Sequence, residues 1–201
     1  MLELKHVRKS YGLTAALKGV SLCLGPGGLV GLFGENGAGK TTLMKCALGL
    51  LRCEGEILLD GAPIGRDRMN RLSFATCEHS FFPNLTPRAH MEFYRMQFPR
   101  FREKRFHALM DFFQLPMGKR LRQFSTGQKN QFEVILALCQ GAEYILMDEP
   151  FAALDHFTRT QLQKELIRLQ KSQNTGILFV THSIDEALLL GHKIAFLEDG
   201  C

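Results

Sequence analysis

The chain has 201 residues, of which 45% are apolar and 22% charged, and a formal net charge of +5. That length accommodates one domain with a subdomain inserted in it, and the balance is ordinary for a soluble globular protein. The mild positive charge suits a polyanionic ligand, anionic lipid headgroups or nucleic acid equally, and selects none of them. The longest apolar run, Val134 to Cys139, is far below the ~20 residues needed to span a bilayer, so any membrane role needs a partner. Met1-Leu2-Glu3-Leu4-Lys5-His6 holds no apolar signal core. The cysteines at 23, 46, 53, 77, 139 and 201 show neither a C-x-x-C pair nor metal-like spacing, and read as reduced thiols in a cytosolic protein.

Residues 1–28 read as short strands and turns, with Leu2, Leu4 and Val7 ahead of Ser10-Tyr11-Gly12 and a turn at Gly25-Pro26-Gly27-Gly28. Tyr11 is either a half-buried strand residue or a ring placed to stack on a purine. Leu29-Val30-Gly31-Leu32-Phe33 is a short apolar run of the kind that forms a fully buried strand. It leads into Gly34-Glu35-Asn36-Gly37-Ala38-Gly39-Lys40-Thr41-Thr42, which fits G-x-x-x-x-G-K-[ST] without a mismatch. Leu43 to Leu48 continues as a helix. The glycines let the backbone turn tightly and bring amide N–H groups close to an anion, and the helix start adds donors and partial positive charge. Lys40 would reach the outer phosphates of a nucleoside triphosphate, and the Thr41 hydroxyl would ligate Mg²⁺.

Gly55 to Gly61 reads as a strand entering a turn, and Leu72 to Ala75 as another strand. From about Cys77 to Ala142 the texture becomes helical. Thr86-Pro87 caps a helix that carries Ala89, Phe93 and Met96 on one face and ends at Pro99. Phe106, Leu109, Met110 and Phe113 form a second stripe, stopped by Pro116, and the basic cluster Arg100, Arg102, Lys104 and Arg105 reads as a solvated face. A third helix starts near Ser125, with Phe132, Ile135, Leu136 and Cys139 inward. Phe124-Ser125-Thr126-Gly127-Gln128, taken alone, is an N-cap with a turn glycine, or a second amide-lined anion site.

The α/β pattern then resumes. Tyr144 to Met147 is a strand that delivers Asp148 and Glu149 at its carboxyl end, where one acid could hold a metal and the other orient or deprotonate water. A helix over Thr158 to Gln170, a strand over Ile177 to Val180, a helix over Ile184 to Leu190 and a strand over Lys193 to Leu197 follow. Such alternation implies a parallel sheet with ligands at the carboxyl ends of its strands. His182, alone after its strand, is otherwise a packing or surface histidine.

With these residues in this order, the chain resembles the nucleotide-binding domain of ABC transporters from Leu2 to Gly200. Phe124 to Gln128 is similar to the family's signature loop, Asp148 and Glu149 to its Walker B acids, and Ala153-Leu154-Asp155 to its D-loop. His182 matches the switch histidine and Tyr11 the adenine-stacking aromatic. The resemblance implies a single α/β domain over 1–201. It would have a P-loop NTPase parallel-sheet core, an N-terminal antiparallel β subdomain and a helical subdomain inserted at about 77–142. It implies ATP and Mg²⁺ as cofactors, and a second ATPase domain, identical or not, closing head to tail so that Ser125, Gly127 and Gln128 bind ATP held by the other subunit. Glu149 and His182 would then be catalytic, Thr41 and Asp148 the metal residues, and Asp155 a link across the interface. Transmembrane permease subunits would hold the protein on the inner face of the cell membrane.

Three departures accompany the resemblance. Cys77 stands where the family has the Q-loop glutamine, with Glu78 beside it; a thiol is a poor Mg²⁺ ligand. Phe124 and Thr126 loosen the signature, which points towards export of a small drug or peptide. The sequence stops at Asp199-Gly200-Cys201, where relatives continue, so it reads as compact or truncated. A soluble ATPase acting on nucleic acid or ribosomes is the alternative, as is a non-hydrolysing ATP-binding regulator. Against nucleic acid stand the short spacing from Lys40 to Ser125 and the absence of a cysteine-pair module.

Overall fold

The computed structural model describes every residue except Cys77 and Ser80, and only the backbone of Arg66 and Asp67. Two sheets share one core. Strands β1 (Leu2–Tyr11), β2 (Thr14–Leu24), β4 (Glu54–Leu59) and β5 (Ala62–Pro63) form an antiparallel sheet in the order β2-β1-β4-β5. Strands β3 (Leu29–Phe33), β6 (Leu72–Thr76), β7 (Tyr144–Asp148), β8 (Gly176–Thr181) and β9 (Lys193–Phe196) form a parallel sheet in the order β6-β7-β8-β3-β9. The N-terminal strands are longer than their short apolar runs suggest. Cross-strand pairing, from Leu2 opposite Leu24 to Tyr11 opposite Thr14, carries them through their polar ends.

The central strands β7 and β8 of the parallel sheet are buried on both faces, which is why they read as nearly unbroken apolar runs, whereas the edge strand β9 is largely exposed. Alternation still sorts their side chains. Tyr144 and Leu146 pack with β1, β2 and α1 (Lys40–Ala47), while Ile145 and Met147 pack with α5 (Thr126–Cys139) and α6 (His156–Gln173). α6 buries Leu162, Leu166 and Leu169, as their spacing requires.

The helical part holds α2 (Arg66–Met69) near its approach, then α3 (Pro87–Gln97), α4 (Glu103–Phe112) and α5. A third cluster of Phe106, Leu109, Met110, Leu121, Phe132, Ile135 and others joins them. α5 belongs to both layers. Phe132, Ile135, Leu136 and Cys139 face the helices, and Val134, Ala137 and Leu138 face the sheet.

Two expectations need correction. The inner face of α3 is Pro87, His90 and Met91, with Tyr94 partly buried, whereas Phe93 is 37% and Met96 72% exposed. The His90 ring wins the interior because both nitrogens are satisfied there: Nε2 accepts from the Phe82 N–H at 3.0 Å, and Nδ1 lies 2.9 Å from the Thr86 carbonyl. The basic cluster is solvated only in part, since Arg100 and Lys104 are exposed while Arg102 and Arg105 are not. Arg105 pairs with Glu165 at 3.2 Å, Arg100 pairs with Glu143 at 3.1 Å, and Arg102 is half-buried.

Candidate nucleotide-binding site

The site lies at the carboxyl ends of three neighbouring strands. Parallel register sets Phe33 of β3 beside Thr181 of β8, and Val180 of β8 beside Asp148 of β7. The segments that follow, beginning at Gly34, Glu149 and His182, therefore emerge on one edge of the sheet. α7 (Ile184–Leu190) then starts at Ser183, whose side chain accepts from the Glu186 N–H.

In the Gly34–Thr42 loop each glycine has its own reason. A Cβ at Gly34 would sit 2.2 Å from the Leu197 carbonyl oxygen, so that glycine permits a close approach of the chain after β9. Gly37 and Gly39 have φ of +87° and +101°, the left-handed region that favours glycine. Gly39 precedes α1 without a capping side chain, and the first turn carries no acid. The opening amides of α1 are thus left to an external anion. Lys40 is buried, and its Nζ donates to the Gly34 carbonyl at 2.8 Å and the Glu35 carbonyl at 2.7 Å. The ammonium is held across the mouth of the loop by groups that a phosphate oxygen can replace.

A cleft of about 190 Å³ is bounded by Ala16, Asn36, Gly37, Gly39, Lys40, Thr41, Thr42 and Glu149. Ala38 is buried beneath it, while Glu35 and Asn36 are exposed. Asp148 is 6% exposed. Burial pushes its carboxyl up, and a hydrogen bond from the Thr41 hydroxyl opposes that shift. Glu149 takes a left-handed φ of +48°, its N–H donates to the Val180 carbonyl at 3.1 Å, and its Oε1 lies 3.3 Å from His182 Nδ1. A non-glycine residue in that region is a strained corner. Here it turns the carboxylate towards the loop and the histidine.

Ser125, Gly127 and Gln128 stand apart from that cleft. Ser125 caps α5 in a reciprocal pair: its Oγ accepts from the Gln128 N–H at 3.2 Å, and its own N–H donates to Gln128 Oε1 at 3.0 Å. A Cβ on Gly127 would meet the Ala153 carbonyl oxygen at 3.1 Å, and Asn130 Nδ2 donates to the Ala152 carbonyl at 2.6 Å. The signature-like turn and the segment after Glu149 are therefore locked to each other. Asp155 caps α6 by accepting from the Thr158 N–H at 3.0 Å, and that bond holds its carboxyl below the usual range. Tyr11 is 51% exposed at the end of β1, with Lys9 Nζ 5.4 Å from its ring centre, and it does not border the cleft.

One feature was not legible as a motif. Glu78 and Lys45 pair at 3.0 Å and, together with Thr41 and Asp148, border a neighbouring cavity of about 230 Å³. The pairing raises the Lys45 pKa. Cys77, the position that departs from the Q-loop, lies outside the described residues.

Residues 17–152 match the family model described as ABC transporter. The chain belongs to the ABC transporter family. Its architecture is that of the family's ATPase cassettes. Against the dimeric cassette MJ0796, solved in a post-hydrolysis state with ADP and Pi, the TM-score is 0.88 at 26% identity, covering 100% of this chain and 95% of that one. The ABC transporter ATP-binding protein YtrB of Bacillus subtilis is 29% identical over 99% of this chain and 69% of its own length. The spermidine/putrescine import ATP-binding protein PotA of Chromobacterium violaceum is 34% identical over 100% of this chain and 58% of its own. The chain thus spans little more than half the length of that second relative. Among the described residues of this cassette, no helix is long and apolar enough to cross a membrane.

Proposed function

We propose that this chain binds ATP in the Gly34–Thr42 loop and hydrolyses it as one half of a head-to-tail dimer, energising transport through permease subunits at the inner face of the cell membrane. The observation that carries the reading is the division of the site. The P-loop cleft, Glu149 and His182 lie on one sheet edge, while the capped turn Ser125–Gln128 does not border that cleft.

Amides of the loop and of the first turn of α1, with Lys40, would hold the phosphates. Glu149 would take the proton of the attacking water, and His182 would orient carboxylate and γ-phosphate alike. Thr41 and Asp148 fit Mg²⁺: a hydroxyl already bonded to a buried carboxylate is a hard, compact oxygen pair suited to an ion shared with phosphates. The ion would supply charge neutralisation on the phosphate oxygens. Tyr11 would stack on the adenine, and Ser125, Gly127 and Gln128 would complete the other subunit's site.

An apolar, outward-facing surface of Phe82, Leu85, Phe93 and Met96 on the helical layer is the region best suited to an apolar partner such as a permease. The export reading drew on Phe124 and Thr126 alone. PotA carries an import name, and in our reading direction belongs to the permease rather than to this chain. The test is Glu149→Gln in the complex assembled with its permease. Turnover should fall ~10²–10⁴-fold, the usual worth of a general base, with ATP binding retained. Unchanged turnover would remove Glu149 from the mechanism.

A further inference from the structure

Away from the nucleotide cleft, a second opening takes no part in the chemistry above. It is a cleft of about 480 Å³ on the antiparallel sheet, bounded by Arg8, Lys9, Ser10, Lys18, Arg52, Cys53 and their neighbours, with Glu54 as its acid. Cys53 is half-buried and opens on this cationic space. Its inner side packs against the core cluster that contains Cys46, which is fully buried in the last turn of α1. The chain returns between them through Gly49, at φ +67°, after the Leu50 N–H closes on the Lys45 carbonyl at 2.9 Å. Both cysteines are free. One thiol thus opens on a basic cleft, and it lies within hydrogen-bonding reach of the buried Cys46 thiol.

We infer that Cys53 is a thiol-exchange site for a small anionic disulfide of the glutathione type, and that Cys46 is its resolving thiol, the two closing into an intramolecular disulfide. The four cations of the cleft attract the carboxylates of such a reagent. The deprotonated Cys53 sulfur attacks one sulfur of the reagent, forming a mixed disulfide and expelling one thiolate. Cys46 loses its proton and attacks Cys53 Sγ, expelling the second thiolate. The protein dithiol is oxidised by two electrons and one reagent disulfide is reduced to two thiols, which take up the two protons. Cys46 rests as a thiol because burial, and then the neighbouring Cys53 sulfur, push its pKa up to about 12. Capping Cys53 removes only the second of those causes; burial remains, so the resolving step is the slow one and runs faster at high pH. Since α1 opens with Lys40 and Thr41, the bond would fix the far end of the helix that carries the nucleotide loop.

The experiment treats the full chain with glutathione disulfide and reads intact mass and peptide maps. The expected product is a loss of two hydrogens with Cys46 and Cys53 joined. Cys46→Ala should stop at one glutathione on Cys53, and Cys53→Ser should give neither product at this site. Glutathione disulfide should also react about tenfold faster than the cationic disulfide cystamine, an advantage lost at high salt. Glutathione confined to exposed Cys23 or Cys201 would overturn the proposal, as would a Cys53 adduct that persists with Cys46 intact, or a faster reaction with cystamine. The peptide map of the unmutated chain decides the pairing even if a variant fails to fold.

Discussion

At Gly39 the missing side chain is a steric requirement from two directions. The backbone has φ of +101°, and a Cβ there would lie 2.5 Å from the Ala16 carbonyl oxygen, part of the wall of the nucleotide cleft. Gly37 shares the left-handed conformation but has nothing within 4 Å of its would-be Cβ. Gly37→Ala should therefore cost only backbone strain, about 1–2 kcal/mol. Gly39→Ala should cost more, about 2–4 kcal/mol, because strain and a clash with a backbone oxygen add. Urea unfolding of the two variants checks the order; equal losses would show that β2 yields freely. The motif names Gly39 and leaves Gly37 at a free position, but their different burdens depend on where β2 runs, which no local pattern encodes.

Among the elements, α3 shows where periodicity misleads. Ala89, Phe93 and Met96 look like a buried face because phenylalanine and methionine are more apolar than histidine. The fold instead buries His90, with both ring nitrogens engaged. That choice makes the helical layer sensitive to acid. The ring is neutral in the fold, its Nε2 accepting from the Phe82 N–H, and burial lowers its pKa below the ordinary 6.5. The unfolded chain takes up the proton first as pH falls, so the contribution of His90 is complete above pH about 6.5 and is lost as pH drops from there towards the lower folded value. His90→Phe should cost about 1–3 kcal/mol at neutral pH, since the Phe82 N–H loses its acceptor. The gap between variant and unmutated chain should narrow between pH about 7.5 and 5.5, as measured by chemical denaturation. A gap independent of pH would mean that His90 acts by packing alone. By contrast, α4 and α6 were legible at sequence level, because strong leucine and phenylalanine stripes leave no rival face, and α5 was legible only on the side that faces the helices. The double allegiance of α5 was not legible, since a helix buried on two sides has no single stripe to find.

For the molecule as a whole, the decisive fact is the distance in role between the two halves of one motif set. The sequence alone supplied the P-loop, the acids, the histidine and the signature turn; that the turn does not border its own chain's cleft is a property of three-dimensional placement. Ser125 adds a complication, because it also caps α5 and its loss to alanine should cost about 1 kcal/mol for that reason alone. Ser125→Asp keeps a cap while placing negative charge where a phosphate is expected, so it separates folding from function. Lys40→Ala should lose the nucleotide on its own side. In a head-to-tail dimer each site joins the loop of one chain to the turn of the other. A dimer of one Lys40→Ala chain with one Ser125→Asp chain therefore has one site with both defects and one with none. Each variant alone should be inactive. Random pairing of equal amounts makes half the dimers mixed, each with one sound site of two, so turnover should recover to about a quarter of the unmutated level. Activity measured on the mixture against each variant alone tests this directly. No recovery on mixing, with dimers demonstrably formed, would place the whole site within one chain and refute the divided arrangement.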